Sequence, residues 1–410
     1  MILFGNIVVY IIMACAFVGC MAYVFKEGSE LGQQFLEGIY AIGSIFIPVA
    51  GVMASAPYLS AFVNTVFGPI YNAVGADASM AATTIIAVDM GGYQLADALA
   101  ATRESWIMAM YTGFMAGATI VYNIPVALKM LDKKDRPYLA LGMMSGFVMI
   151  PVGVLISSVI TVISNPVIRE TISTNGEASY QLMLTFGMLF KNLIPLIIIC
   201  GLIAVGLLLK PNFMMKAFAV FGKVMDSALT IVLVLCIIEY FTGVFSKIFG
   251  GWGFEPIIAD EENINRALET AGYIGIMLCG AFPMVYLIQT YLEKPLGKIG
   301  KIFGLSSDAI AGLLAGAANA IALYKLIGSM KAEDKVKCLA FAVCGAFVIG
   351  DHLSFTANYQ PTLILPVMAG KILAGILAVW LSTKISVPKA RQIEAEYFAR
   401  EQAKEISVSA

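Results

Sequence analysis

Histidine is nearly absent from this 410-residue chain: the only one is His352. Zinc-type Cys/His clusters and most histidine-based hydrolytic schemes are therefore excluded. Charge is scarce too, with Asp, Glu, Lys and Arg making up 13% against a hydrophobic fraction of 60% and a mean hydropathy of +0.86. Soluble domains carry about a quarter charged residues, so no sizeable soluble domain is expected. The net charge of −1 gives no reason to expect a nucleic-acid partner. No CxxC pair occurs. The seven cysteines are odd in number and scattered through apolar sequence, so they read as small buried hydrophobes. HExxH, Walker A, GxGxxG and Ser/His/Asp patterns are all missing, and no catalytic residues, metal or cofactor are expected. The first apolar run lacks the basic flank and cleavage site of a secretory signal and is too long for one, so it is expected to stay as a membrane helix.

Long apolar runs are what the chain does have. ILFGNIVVYIIMACAFVGCMAYVF (2–25) and LIPLIIICGLIAVGLLL (193–209) approach the length that crosses about 30 Å of hydrocarbon. Eleven segments can be marked: 2–25, 38–66, 78–101, 105–130, 137–163, 182–209, 216–246, 270–292, 306–324, 336–357 and 362–383. Four connections are lysine-rich (129–136, 210–223, 294–301 and 325–337), as is the exit after 383. By contrast 164–181 holds only Arg169 as a cation, and 250–269 carries Glu255, Asp260, Glu261 and Glu262. The excess of Lys and Arg in cytoplasmic loops puts the first set inside and the second outside.

Both connections around 306–324 are basic, so that segment should enter and leave on one face. Its GLLAGAANAIALY stretch, rich in Gly and Ala, suits a re-entrant hairpin buried against protein. If 38–66 begins in the cytoplasm, 78–101 has the same character on the opposite face. The expected fold is thus an all-α polytopic membrane protein with an inverted-topology repeat of two five-segment halves. It would have nine full transmembrane helices and two re-entrant hairpins; eleven plain transmembrane helices are the alternative. The first repeat would span 1–165, a connecting helix 166–212, the second repeat 213–385, and a solvated cytoplasmic tail 386–410. The C-terminus would be cytoplasmic and the N-terminus external.

Two aspartates lie deep in apolar sequence, Asp89 in TIIAVDMGGYQ and Asp351 in AFVIGDHLSF. Overlaying 80–92 on 310–322 puts Asp89 over Asn319, and overlaying 115–128 on 343–356 puts Asn123 over Asp351. Ionisable groups inside a bilayer are costly and mark substrate or ion paths. Gly91 and Gly92 weaken the helix after Asp89. Pro125 removes a donor and crowds the Val121 carbonyl near Asn123. Broken segments beside polar side chains are how inverted-repeat carriers build a midplane site. The candidate substrate-binding set is therefore Asp89, Gly91, Gly92, Asn123, Asn319, Asp351 and His352. Simple packing competes with this reading: either aspartate bonded to a freed amide or neutralising Lys325, Lys371 or Lys191, the asparagines gluing helices, and His352 a satisfied core residue. Two carboxylates favour a cationic solute, with Tyr93, Tyr122, Phe355 and Tyr359 as aromatic faces nearby. An intramembrane aspartyl protease is disfavoured because the sequence reads VIGD at 348–351 rather than GxGD.

At these same residues the chain resembles the ethanolamine permease family encoded with bacterial ethanolamine-utilisation genes. The resemblance rests on AVDMGGYQLA (87–96), NIPVAL (123–128), RPYLALG (136–142), EKPLGKIGKIFG (293–304) and GDHLSF (350–355), in that order and spacing, and extends over 2–385. It implies a multi-pass carrier in the bacterial cytoplasmic (inner) membrane, feeding ethanolamine to a cobalamin-dependent ammonia-lyase pathway. The expected partners are ethanolamine and the lipid bilayer, with a homo-oligomer left open. The expected function is ethanolamine transport by alternating access; a passive amine channel or an intramembrane enzyme are the alternatives.

Overall fold

A computed structural model of the chain describes residues 2–259, 266–302 and 304–409. Asp260, Glu261 and Glu262 of the acidic connection lie outside the described residues, as do the side chains of Lys294 and Lys301. The first part of the chain forms α1 (Ile2–Phe25), α2 (Glu30–Ala54), α3 (Ala56–Val66), α4 (Gly68–Ala73), α5 (Ser79–Ile85), α6 (Gly92–Leu99), α7 (Arg103–Thr112), α8 (Ile124–Met130) and α9 (Arg136–Ser164). The remainder forms α10 (Phe186–Leu209), α11 (Pro211–Thr242), α12 (Val244–Phe249), α13 (Ala267–Ile302), α14 (Ser307–Ala318), α15 (Ala320–Ile327), α16 (Ala332–Gly345), α17 (Asp351–Tyr359), α18 (Ile364–Ile385) and α19 (Val387–Ser409). A short antiparallel clasp pairs Val167 with Gln181 between α9 and α10.

Among the described residues, eight helices are long and apolar enough to cross a bilayer: Leu3–Phe25, Glu30–Ala54, Arg103–Met130, Arg136–Ser164, Phe186–Leu209, Pro211–Thr242, Ala267–Leu292 and Pro361–Ile385. The molecule is thus an all-helical, polytopic membrane protein. α1, α10 and α11 turn large apolar side chains such as Phe17, Leu202 and Phe241 outward. That is stable in lipid and costly in water. The Arg103–Met130 helix sits at the centre, with 89% of its apolar window buried. It runs unbroken because a π-helical stretch, Gly113–Asn123, joins α7 to α8.

Where the segments differ from the apolar runs, polar caps and prolines are the reason. The run at 38–66 is two helices. α2 begins early because the Ser29 hydroxyl accepts the Gly32 N–H at 3.3 Å, and α3 restarts with Pro57 in its first turn, where no N–H is needed. Pro125 likewise falls in the first turn of α8, so the π register absorbs the kink expected there.

Three further runs are interrupted by a turn or an unwound stretch. Between α5 and α6 lie a single 3₁₀ turn, Val88–Met90, and Gly91 with φ +91°. The Asp77 carboxylate accepts the N–H of Ser79 (2.9 Å) and of Ala101 (3.0 Å), so the two ends of the 79–99 stretch are held together. Between α14 and α15 the chain turns at Asn319, which is extended (φ −154°, ψ 126°) and whose Oδ1 accepts the Ile321 N–H at 2.8 Å. Leu323 then lies in the space left by Gly312 and Gly316, so α15 folds back along α14. Its open end is tied to α16, where the Ser306 hydroxyl donates to the Asp334 carboxylate at 2.7 Å. Between α16 and α17 the residues 346–350 unwind, and Phe347 takes φ +61°. A non-glycine residue there stores about 1–3 kcal/mol, which the surroundings must overcome. They do so through the C-terminal end of α14: Phe347 and Ile349 donate their N–H groups to the Gly316 (3.1 Å) and Ala317 (3.0 Å) carbonyls.

The tail after 386 is not free along its length. Val387 and Ala390 are buried, Arg391 pairs with Glu333, and the Glu394 carboxylate accepts the Ala332 N–H at 3.0 Å. The start of α9 is fixed to α16 by a buried ion pair, Lys335 to Asp135 at 2.6 Å.

Candidate functional site

The interrupted segments meet at the middle of the central helix. The turn between α5 and α6 packs on the π-helical stretch so closely that a Cβ at Gly117 would stand 2.4 Å from the Ile86 carbonyl oxygen. The unwound residues 346–350 pack on the tip of α14 equally closely: a Cβ at Gly350 would stand 2.2 Å from the Ala318 oxygen. Gly91 and Gly92 make the first turn feasible. Gly91 is left-handed and abuts Val52, and the Gly92 N–H bonds to the Ala87 carbonyl at 2.9 Å.

Asp89 and Asp351 are brought to this junction on two different breaks. The Asp89 carboxylate has Oδ2 4.0 Å from His352 Nε2, while its Oδ1 is buried with no hydrogen-bond partner. Asp351 opens α17, is half-buried, and interacts electrostatically with Asp89. Among the described residues, neither carboxylate pairs with a lysine or arginine. Lys371, a buried lysine whose charge acts on Asp89, instead donates to the Phe114 carbonyl at 2.8 Å. Of the other lysines weighed as neutralising partners, Lys191 lies against Gly75 and Lys325 is exposed. His352 is 1% exposed and wedged between two rings, Phe114 at 4.6 Å and Phe347 at 5.3 Å, and its Nδ1 is unbonded.

The two asparagines play unequal parts. Asn319 terminates α14 and caps α15 through Oδ1, beside Gly350 and hence one residue from Asp351. Asn123 directs its amide nitrogen to the Ala342 carbonyl (3.3 Å) and the Thr119 hydroxyl (3.5 Å), which ties the central helix to α16. That is helix glue, although its Oδ1 remains buried and unpartnered. Of the aromatic residues, Tyr122 senses both aspartates electrostatically. Tyr93 and Tyr359 instead pack with Phe355, and the Tyr93 hydroxyl accepts from Gln360 at 2.9 Å.

Three participants escaped the sequence reading in their actual roles. Lys371 was visible as a lysine inside an apolar run, but its partner is a backbone carbonyl rather than an aspartate. Phe347 holds the left-handed position of the break and flanks His352. Gln94, a turn beyond Gly91, has both amide atoms buried and unbonded. No group of three His, Cys, Asp or Glu side chains suited to a metal occurs among the described residues. A cavity of about 250 Å³ is lined by Met90 and Tyr122, which adjoin Asp89 and Asn123 in sequence, and also by Lys129, Met225 and Asp226.

Fold and site together define a polytopic helical membrane protein with a polar, carboxylate-bearing centre at interrupted helices. Residues 4–385 match the family described as "Ethanolamine utilisation protein, EutH", and the chain belongs to that family. It is 37% identical over 376 residues to the probable ethanolamine permease EutH of Listeria monocytogenes serotype 1/2a (strain 10403S), with 92% of each chain covered. The protein of the same name from Salmonella typhimurium (strain LT2) is 35% identical over 395 residues, covering 93% of this chain and 92% of that one. An uncharacterised protein of Bacillus subtilis (strain 168), YxeR, is 32% identical over 398 residues, covering 96% of this chain and 99% of the relative. No solved structure matches the chain.

Proposed function

We propose that the chain transports ethanolamine across the bacterial cytoplasmic membrane; its Listeria and Salmonella relatives are named probable ethanolamine permeases. Its ammonium would bind at Asp89 and Asp351 and its hydroxyl at Asn319 or His352. One observation carries this reading: among the described residues, neither the Asp89 nor the Asp351 carboxylate pairs with a lysine or arginine, and one Asp89 oxygen is buried without a hydrogen bond. An ion removed from water without a partner costs several kcal/mol, so such a pair is stable only if a cation or proton comes and goes. Ethanolamine at neutral pH supplies that cation, and its hydroxyl suits an amide or imidazole.

The interrupted segments support a particular architecture. The eight long helices and the broken α16–α17 make nine crossings, while α5–α6, its ends joined through Asp77, and α14–α15, folded back and tied to α16 at Ser306, serve as two re-entrant hairpins. Each hairpin tip rests on the next crossing of its own half, at Gly117 in one and Gly350 in the other. That correspondence favours an inverted repeat of 1–165 and 213–385 joined by α10, with a cytoplasmic C-terminus and an external N-terminus. Rocking of one half against the other would expose the site alternately to each side.

Uptake of labelled ethanolamine into vesicles containing the purified protein tests the reading. Saturable uptake with counterflow is expected, and Asp89→Asn and Asp351→Asn should each reduce it at least tenfold. Undiminished uptake in both variants removes the site; uptake without saturation or counterflow would leave a passive channel instead.

A further inference from the structure

A second cavity lies away from the polar centre. It is a groove of about 790 Å³ between the ends of α8, α10 and α18 and the beginnings of α9, α11 and α19. Its floor is apolar, formed by side chains such as Leu207 and Met215. Its rim carries four exposed cations, Lys129, Arg136, Lys216 and Lys389, and no carboxylate lines it among the described residues. Only Lys129 has an acidic neighbour within 4.0 Å among the described residues: Asp226 at 3.7 Å, both side chains about two-thirds exposed. Such an exposed pair is weak and leaves the charge available. Arg136 donates to the Leu128 carbonyl and Lys389 to the Gln392 side chain, contacts that hold these groups without neutralising them.

We infer that this groove binds one anionic phospholipid, its phosphate against Arg136, Lys216 and Lys389 and its acyl chains along the floor. The layering matches that molecule and not a cationic solute: positive charge sits where five membrane helices begin or end beside the tail helix α19, and apolar surface lies on the membrane side of it. The floor also continues into lipid-facing surface, since Leu208 lines the groove and is 62% exposed. Basic pockets between helices at a membrane boundary are suited to anionic headgroups. A soluble anion would gain the charge but waste the apolar floor.

The full chain in neutral detergent, titrated with dioleoylphosphatidylglycerol or dioleoylphosphatidylcholine and read by native mass spectrometry, tests this. The wild-type chain is expected to hold the glycerol lipid at least tenfold more tightly than the choline lipid. The combined Arg136→Gln, Lys216→Gln and Lys389→Gln variant should lose that preference, while Lys223→Gln, Lys325→Gln and Lys384→Gln, an equal charge change outside the groove, should keep it. If the triple variant does not fold, Lys216→Gln alone should weaken the preference severalfold. The inference is overturned by a wild-type chain that binds both lipids alike, by a folded groove variant that retains the preference, or by a control that loses it equally. Displacement of the lipid by millimolar inorganic phosphate would also overturn it, since the site would then be one for a free anion.

Discussion

His352 sits 4.0 Å from Asp89 with its other nitrogen unbonded, held by aromatic rings rather than by hydrogen bonds. Its packing and its polarity can therefore be separated. His352→Phe keeps a ring between Phe114 and Phe347 and deletes the polar edge. The expected outcome is a protein that melts within a few degrees of wild type and binds ethanolamine about tenfold more weakly, near 1.4 kcal/mol. Equilibrium binding alongside thermal melting checks both halves, and unchanged affinity would make His352 a packing residue. At this scale much was legible in advance. Asp89, Asp351 and His352 announce themselves because ionisable groups seldom occur in runs such as TIIAVDMGGYQ. What the amides do was not legible: the bond of Asn123 to Ala342 depends on which helix lies opposite, 219 residues away in sequence.

The breaks are the elements that matter, and they arise in two ways. The turn after Asp89 is local, since Gly91 and Gly92 accept conformations that a side chain would oppose. The break before Asp351 is imposed by tertiary contact. Nothing in AFVIG marks Phe347 as left-handed; the carbonyls at the end of α14 hold it there. For the same reason the sequence marked 336–357 as one kinked crossing without locating its unwound residues. A methyl group at Gly350 tests this contact, because it would meet the Ala318 carbonyl at 2.2 Å and push the tip of α14 away. Gly350→Ala should destabilise by about 1–3 kcal/mol, as overpacking usually does. Gly43→Ala, with nothing within 4 Å of the new carbon, should be neutral or slightly stabilising, as expected for alanine in a helix. Melting curves in one detergent would decide, and equal melting of the two variants would mean that the α14 tip yields freely.

For the whole molecule, the apolar runs anticipated a polytopic helical protein, and eight of the eleven appear as long helices. Their lengths and lysine-rich connections could be read along the chain, whereas the docking of α19 on α16 and the converging breaks exist only after folding. The proposed rocking of two halves has a consequence at this scale. Met225 of α11 lines the 250 Å³ cavity together with Met90 and Tyr122, so elements of both proposed halves share its walls. If the halves move when the site fills, that cavity must change size as ethanolamine binds, since a packed interface shifts between discrete arrangements rather than stretching. Met225→Cys, in a chain with its seven native cysteines replaced by serine or alanine, places a reporter on this wall. Its rate of reaction with a small maleimide should fall severalfold at saturating ethanolamine, and Asp89→Asn should abolish that protection. Ligands shift a conformational equilibrium only by their differential affinity for its states. A reaction rate indifferent to ethanolamine, measured where binding is saturated, would therefore leave the halves immobile and exclude alternating access through this cavity.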